Sequence, residues 1–260
     1  MEHGGKEQLR PTVSVIMPAY NAARFIEAAA RSVMNQTVTD WELLVLDDCS
    51  QDDTCAIAQR LAAQDPRIRL VRNEANMGVA RTRNRGFELC RGEYVALLDS
   101  DDIWHPEKLE AQLARLKKTG ADLAYCSYAI VDADGRKIRA DYTVPEQVDF
   151  RRMLKENVIG CSTVILSERI VNKYRFATDF YHEDYVLWLQ LLQDGYQAVG
   201  CGDVLVDWRF IENSRSFNKQ RSARNRWKIY REYLKLPVLE SARVFAGYVC
   251  ASLKKYYRKN

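Results

Sequence analysis

The sequence predicts an α/β protein with a Rossmann-like, mostly parallel central sheet, a mixed second half and a helical C-terminal tail. Three observations predict it. Short β-branched runs alternate with helix-period segments as far as residue 105. Longer strands and a hairpin signal then replace that alternation. From residue 221, aromatic and aliphatic side chains recur at helical spacing among Lys and Arg.

The elements follow in order. Residues 1–11 are polar, stop at Pro11 and are expected to be disordered. Val13 to Met17 is the first strand, broken at Pro18 and followed by the loop Pro18-Ala19-Tyr20-Asn21. Ala22 to Met34 has helical spacing, with Phe25, Ile26, Ala29, Ala30 and Val33 on one side. Trp41 to Leu46 is the second strand and ends in Asp47-Asp48-Cys49-Ser50. A helix starts at Asp53, a third strand covers Ile68 to Val71, and a polar loop from Asn73 to Gly78 leads into a helix to Cys90. Tyr94 to Leu98 is a fourth, buried strand. Right-handed crossovers place the loops after strands one, two and four on one edge, so Pro18–Asn21, Asp47–Ser50 and Asp99–Asp102 should converge.

The second half begins at 106, where Pro106 opens a helical pattern through Leu109, Leu113 and Leu116. Residues 121–131 form a longer strand, Asp132 to Gly135 a hairpin turn, and a strand returns to Val144. Cys161 to Leu166 is expected as a strand, His182 to Leu192 as a buried helix, and Val204 to Phe210 as a last strand.

The fourth strand carries the strongest chemical signal. Asp99-Ser100-Asp101-Asp102 puts three carboxylates in four residues at a strand's C-terminal end, where open α/β sheets bind ligands. Acids this close repel one another unless a cation sits among them. With neither His nor Cys among them, they suit a hard divalent ion, Mg²⁺ or Mn²⁺, that shares its coordination with phosphate oxygens. A plain strand-to-helix turn with Asp102 as N-cap is the structural alternative. Neither G-x-G-x-x-G nor G-x-x-x-x-G-K-[ST] occurs, which disfavours a dehydrogenase or a P-loop enzyme. A bound diphosphate would then need a metal and arginines, and Arg81, Arg83 and Arg85 follow the Asn76-Met77-Gly78 loop. Glu183-Asp184 opens the buried helix. There it suits the helix dipole, and it is also where a general base can sit.

Composition sets the limits. The chain has 260 residues, 47% hydrophobic and 28% charged, enough for one large α/β domain. No run is long enough to span a bilayer, and the N-terminus has no apolar signal core, so a cytoplasmic location is expected. Seven dispersed Cys without C-x-x-C read as free thiols, and three distant His make a zinc site improbable. The net charge of +4 is uneven: residues 215–260 hold 13 Lys and Arg against two acids, leaving the other 214 residues at net −7. The tail therefore suggests an anionic partner, with a membrane surface rather than nucleic acid as the expectation. Packing on the body or on a second subunit of a homo-oligomer is the alternative.

Five segments in order resemble family 2 glycosyltransferases: Val13–Asn21, Leu44–Thr54 (LVLDDCSQDDT), Asn76–Gly86 (NMGVARTRNRG), Leu97–Leu109 with its Trp and Pro, and the Glu-Asp…Trp helix His182–Leu192. The stretch from Trp208-Arg209 through Glu232 resembles the branch that builds bacterial cell-surface polysaccharides such as teichuronic acid, O-antigen or capsule. The resemblance implies a GT-A catalytic domain over 12–220, with a nucleotide-binding half (12–105) and an acceptor half (106–220), followed by a basic amphipathic tail (221–260). It also implies a nucleoside-diphosphate-sugar donor with UDP favoured, Mn²⁺ or Mg²⁺, inversion at the anomeric carbon, and a glycan or lipid-linked acceptor at the inner face of the cell membrane.

Carried over by position, Pro18, Tyr20 and Asn21 form the base loop, with Tyr20 stacking near the base. Asp48 would bond the base edge, Arg83 would approach the diphosphate, and Asp99 would meet ribose or metal. Asp101 would hold the metal. Asp184 would be the general base, with Glu183 the less favoured candidate. Trp104, His182 and Trp188 are candidates for the sugar or acceptor side; core packing is the other reading of both tryptophans and the favoured one for Trp188, inside an apolar helix. His105 is a candidate for diphosphate, metal or capping, and residues 211–219, with Arg215 and Lys219, are a candidate lid. A nucleotidyltransferase and a non-catalytic carbohydrate-binding protein are the rival functions. The first lacks its glycine-rich loop here, and the second has no need of both acid sites.

Overall fold

The computed structural model describes residues 10–211 and 219–257. The expected disorder of 1–11 falls almost wholly outside these residues, as does the candidate lid between Ile211 and Lys219.

The first half follows the alternation. β1 (Val13–Ala19), β2 (Trp41–Asp47), β3 (Ile68–Arg72) and β4 (Tyr94–Leu97) pair in parallel in the order β3-β2-β1-β4. β1 and β2 are buried along their whole length, as expected of strands covered on both faces. The covering helices are α1 (Ile26–Met34), α2 (Thr54–Gln64) and α3 (Val79–Leu89). α1 begins four residues later than its apolar spacing suggests, because Ala22 to Phe25 form a turn. α3 lies close to the sheet: a Cβ on Gly86 would stand 2.6 Å from the Ile16 Cγ2 methyl.

The second half extends the same sheet. β5 (Ile103–Trp104), β6 (Leu123–Val131), β7 (Lys137–Tyr142), β8 (Ile165–Ser167) and β9 (Ala198–Arg209) complete nine strands among the described residues. β8 lies antiparallel to both β4 and β6, and so joins the halves, while β6 and β9 run parallel. Three expectations are corrected. Cys161–Leu166 is not one strand: Cys161–Thr163 forms a 3₁₀ turn and the strand starts at Ile165. The last strand begins at Ala198 rather than Val204, since Gly200 and Gly202 sit within a bulged pairing with β6. Asp102 is not a helix N-cap, because α4 (Lys108–Thr119) opens only after the short strand β5.

α5 (Phe150–Lys155), α6 (Glu168–Lys173) and α7 (Glu183–Gln193) pack on this half. The tail is helical: α8 (Lys219–Lys228), a π-turn (Ile229–Tyr233) and α9 (Val238–Tyr257). Ile229, Tyr230 and Val244 enter the core that holds Trp188 and Tyr185, so one face of the tail is built into the body.

Candidate active site

The loops after β1, β2 and β4 converge as the topology requires. They border a cleft of about 900 Å³ whose lining includes Pro18, Tyr20, Asn21, Asp48, Arg83, Asp99, Asp101 and Glu183. Of three non-glycine residues in the left-handed region among the described residues, two stand at these loop tips, Asn21 (φ 49°) and Cys49 (φ 64°). Hydrogen bonds hold that geometry. Asn21 N–H donates to Ser50 Oγ at 3.0 Å, and Gln51 N–H donates to Asn21 Oδ1 at 2.9 Å, so the first two loops are fastened together.

On the β1–β3 side, Tyr20 is half exposed at the rim, available for a ring to stack on. Asp48 is buried, and its carboxylate is already engaged: Oδ1 accepts from Asn73 Nδ2 (2.7 Å) and Met77 N–H (2.9 Å), and Oδ2 accepts from Gly78 N–H (2.9 Å). It fixes the loop that forms the cleft's floor and enters α3. Of the three arginines after that loop, Arg85 turns to the Arg72 carbonyl and Asn73. Arg81 is exposed at the cleft and has no ion-pair partner among the described residues.

The acids at the tip of β4 are held from two sides. Ser162, from the 3₁₀ turn, donates to Asp102 Oδ2 at 2.5 Å and accepts from Asp99 N–H at 3.0 Å. Arg209, ending β9, donates its N–H to Asp102 Oδ1 (2.8 Å) and its Nε to the Asp101 carbonyl (2.7 Å). Burial first, then Asp101 and Asp99, push Asp102 well above the usual carboxylate range. Burial and Asp99 raise Asp101 to about 6, against the pull of Arg209 and Arg83. Asp101 lines the cleft, and no side chain among the described residues forms an ion pair with it.

Opposite stands the N-terminus of α7. Arg83 bridges the two sides: its Nη2 lies 2.5 Å from Asp99 Oδ1 and its Nη1 2.6 Å from Glu183 Oε1. The guanidinium is 4% exposed and also lies over Phe176. Asp184, beside Glu183, accepts from Tyr185 N–H at 2.7 Å. Burial, then Glu183, raise it to about 6, and both Arg83 and Asp99 act on it. The helix and the strand tip, some 80 residues apart in the chain, thus share one electrostatic site.

Residues 14–174 match the family described as Glycosyl transferase family 2. The chain is 35% identical to the putative teichuronic acid biosynthesis glycosyltransferase TuaG of Bacillus subtilis, over 95% of this chain and 98% of that one. This chain is a family 2 glycosyltransferase. It is also 36% identical to a UDP-Glc:alpha-D-GlcNAc-diphosphoundecaprenol beta-1,3-glucosyltransferase, WfgD, of Escherichia coli, over 94% of each. Among solved structures, S. aureus TarS in complex with UDP-GlcNAc superposes with a TM-score of 0.72 at 20% identity, covering 92% of this chain and 71% of that one. The mannosyltransferase PcManGT from Pyrobaculum calidifontis, in complex with GDP-Man and Mn²⁺, gives 0.70 at 18% identity, covering 97% and 77%. The transferase therefore has the GT-A fold, and the two rival functions fall away with family membership.

Two candidates are corrected by burial, and the two histidines are placed by their contacts. Trp188 is fully buried and packs edge-on to Phe176 (6.5 Å between centroids), so no sugar reaches it. Trp104 is 2% exposed, donates its indole N–H to the Ser162 carbonyl (2.9 Å) and carries the Lys108 ammonium over its ring. Both are core residues. His182 takes the N-cap position of α7, edge-on to Tyr181, and, like Asp184, is not among the residues that line the cleft. His105 bonds Asp207 at 2.9 Å across the β5–β9 pair, and that bond raises it. Besides Tyr20, the aromatic groups among the described residues that line the cleft are Phe25, Phe180 and Trp208. Ser162 carried no motif, and Arg209 was visible only as part of the Trp208-Arg209 resemblance.

Proposed function

We propose that the transferase moves a hexosyl group from a UDP-sugar to a hydroxyl of an undecaprenyl-diphosphate-linked saccharide, with inversion, in cell-surface polysaccharide synthesis. The activity for which WfgD is named and the UDP-GlcNAc bound to TarS support the donor and acceptor classes. The observation that carries the reading is the Arg83 bridge, which sets the strand-tip acids across one cleft from Glu183; Asp184 is the next residue of α7 and is not itself among the residues lining the cleft.

A divalent cation fits the donor set. Among the described residues, five carboxylates (Asp99, Asp101, Asp102, Glu183, Asp184) meet two buried guanidiniums, Arg83 and Arg209. Among the described residues no three His, Cys, Asp or Glu converge as a complete ligand set. Asp101 and Asp99 would therefore hold the ion together with diphosphate oxygens and water. Bound there, Mn²⁺ or Mg²⁺ would neutralise charge on the departing diphosphate.

The protein's own groups supply the rest. Tyr20 stacks on the base, and the loop braced by Asp48, with Pro18 and Asn21, receives it. Arg81, at the rim, meets the diphosphate, while Arg83 sets the position of Asp99 and Glu183. Asp184 takes the acceptor hydroxyl's proton as it attacks. Its carboxyl, raised to about 6, suits that task near neutral pH, whereas Glu183 is committed to Arg83. One in-line displacement inverts the anomeric carbon. UDP release from a UDP-sugar panel, with and without Mn²⁺ and a synthetic GlcNAc-diphospho-lipid, tests the proposal. Acceptor-dependent release with a product of opposite anomeric configuration is expected. Release indifferent to the acceptor, or a retained configuration, overturns it.

A further inference from the structure

The C-terminal segment presents two faces, and only one is covered. The inner face lies in the core through Ile229, Tyr230 and Val244, and Arg226 lies 3.6 Å over the Tyr185 ring. The outer face of α9 is different. Leu239, Ala242, Arg243, Ala246, Val249 and Cys250 are all exposed, and their spacing puts them on one stripe of the helix. Only Arg243 among them is polar. Leu239 is 84% exposed and Val238 61%, the two most exposed large apolar side chains among the described residues. They follow Pro237 at the start of the helix and form a protruding tip.

We propose that this tip and stripe seat on an anionic lipid surface. Charge favours that occupant over a second copy of the chain. Arg243 is exposed within the stripe, Lys235 is exposed just before its tip, and Arg221 and Arg224 are exposed on α8, in a segment with 13 basic residues against two acids. Two copies meeting through this face would juxtapose two cationic surfaces, while an anionic bilayer offers both countercharge and an apolar layer. No helix among the described residues is long and apolar enough to cross a membrane, so α9 lies in the interface. Trp227, partly exposed and edge-on to Phe245, stands where an amphipathic ring suits the headgroup level.

The same segment packs against a residue of the cleft wall. Lys228 Nζ donates to the Asp179 carbonyl at 3.2 Å and Tyr233 packs edge-on to Phe180, whose ring lines the cleft. A chain seated this way would hold its acceptor side close to the bilayer. The purpose of the contact rests on the lipid-linked acceptor proposed above, but its test needs neither donor nor acceptor.

The test is flotation of the full chain with vesicles of phosphatidylglycerol and phosphatidylcholine, against phosphatidylcholine alone. Deleting the tail is unsuitable, because it would uncover the core at Ile229, Tyr230 and Val244. The informative variant is Val238→Asp with Leu239→Asp. Both positions are exposed, and acids in a first helical turn suit the dipole, so folding is preserved. Withdrawing two aliphatic side chains from lipid weakens binding at least about tenfold. Arg243→Glu weakens it about fivefold or more, and added salt weakens it further. Wild-type protein that ignores phosphatidylglycerol, or variants that float like wild type, overturn the proposal. So does a dimer in light scattering that the same substitutions split. UDP release with a soluble acceptor, measured without vesicles, is unchanged in the variants, so failure of the surface and failure of the activity are read separately.

Discussion

Replacing Asp184 by Asn should make the protein more stable and nearly inactive. The carboxyl is raised from the ordinary 3.8 to about 6 by burial and by Glu183, despite Arg83. An acid raised in the fold binds its proton more tightly than in the unfolded chain. Below about pH 4 both states are protonated and the site contributes nothing. Between about 4 and 6 the folded state progressively loses that advantage, and above about 6 the full penalty of the buried anion remains. At about 1.4 kcal/mol per unit the penalty is at most about 3 kcal/mol at neutral pH. Asn keeps the shape, and its carbonyl can still accept from Tyr185 N–H. Thermal melts at pH 7.5 should therefore show a higher Tm, by about 2–4 °C for each kcal/mol recovered, with the gain vanishing toward pH 4. Turnover should fall by about 10²–10⁴-fold. In wild type, kcat should rise with pH to a plateau just above 6, and the variant should lack that limb. Turnover within tenfold of wild type with the same pH profile would refute the base assignment. A lower Tm at pH 7.5 would refute the description of the carboxyl's surroundings.

Other residues make separate predictions. Asp101→Asn should abolish the Mn²⁺-dependent part of the Tm rise produced by UDP, measured by thermal shift; an undiminished rise would show that the ion is held elsewhere. Arg83→Met should leave Asp99 and Glu183 without their buried partner, costing about 3–5 kcal/mol in urea unfolding. A loss under 1 kcal/mol would mean that water reaches both acids. Lys108 is fully buried with its ammonium on Gln112 Oε1 (2.7 Å), and burial lowers it from 10.5 to about 8. Lys108→Met should therefore stabilise by about 1–2 kcal/mol at pH 7, after the hydrogen bond to Gln112 is lost. Because the charged form is disfavoured in the fold, that gain is full below about pH 8 and fades toward 10.5; a gain that grows with pH would contradict it.

The fold of the first half was legible because period carries it. Strands buried on both faces read as unbroken apolar runs, and helices separate them at regular intervals. The strand-tip acids and the Glu183-Asp184 pair were legible as residue types, since carboxylates so crowded demand an explanation. Their partnership was not. Arg83 meets Glu183 across 100 positions, and Ser162 and Arg209 reach Asp102 across 60 and 107. Only the assembled sheet brings these groups together, and nothing local marks them. The tryptophans show the same lack of depth: the apolar helix around Trp188 favours core packing, but Trp104, beside the acid motif, reads equally as a sugar platform until its packing is seen. Cys161–Leu166 read as a strand on apolarity alone, although its first residues turn so that Ser162 can reach the acids.

The crowding of acids has a consequence for how the two sides of the cleft act on each other. Arg83 is nearly sealed from water and divides one charge between Asp99 and Glu183. Asp99 also bears on Asp101 and Asp184, in each case raising it. A cation accepted at Asp101 and Asp99 would relieve that repulsion and leave more of the guanidinium's charge for Glu183 and its neighbour. Both changes favour the ionised form of Asp184, the form able to take a proton. Donor and metal binding would thus prepare the base on the opposite side without movement of the backbone, through one arginine whose position the sheet dictates. The same arrangement accounts for an uneconomical design, in which a fold tolerates several partly desolvated carboxylates: the strain is confined to the cleft, and the cation that would relieve it is held together with the donor that the reaction consumes.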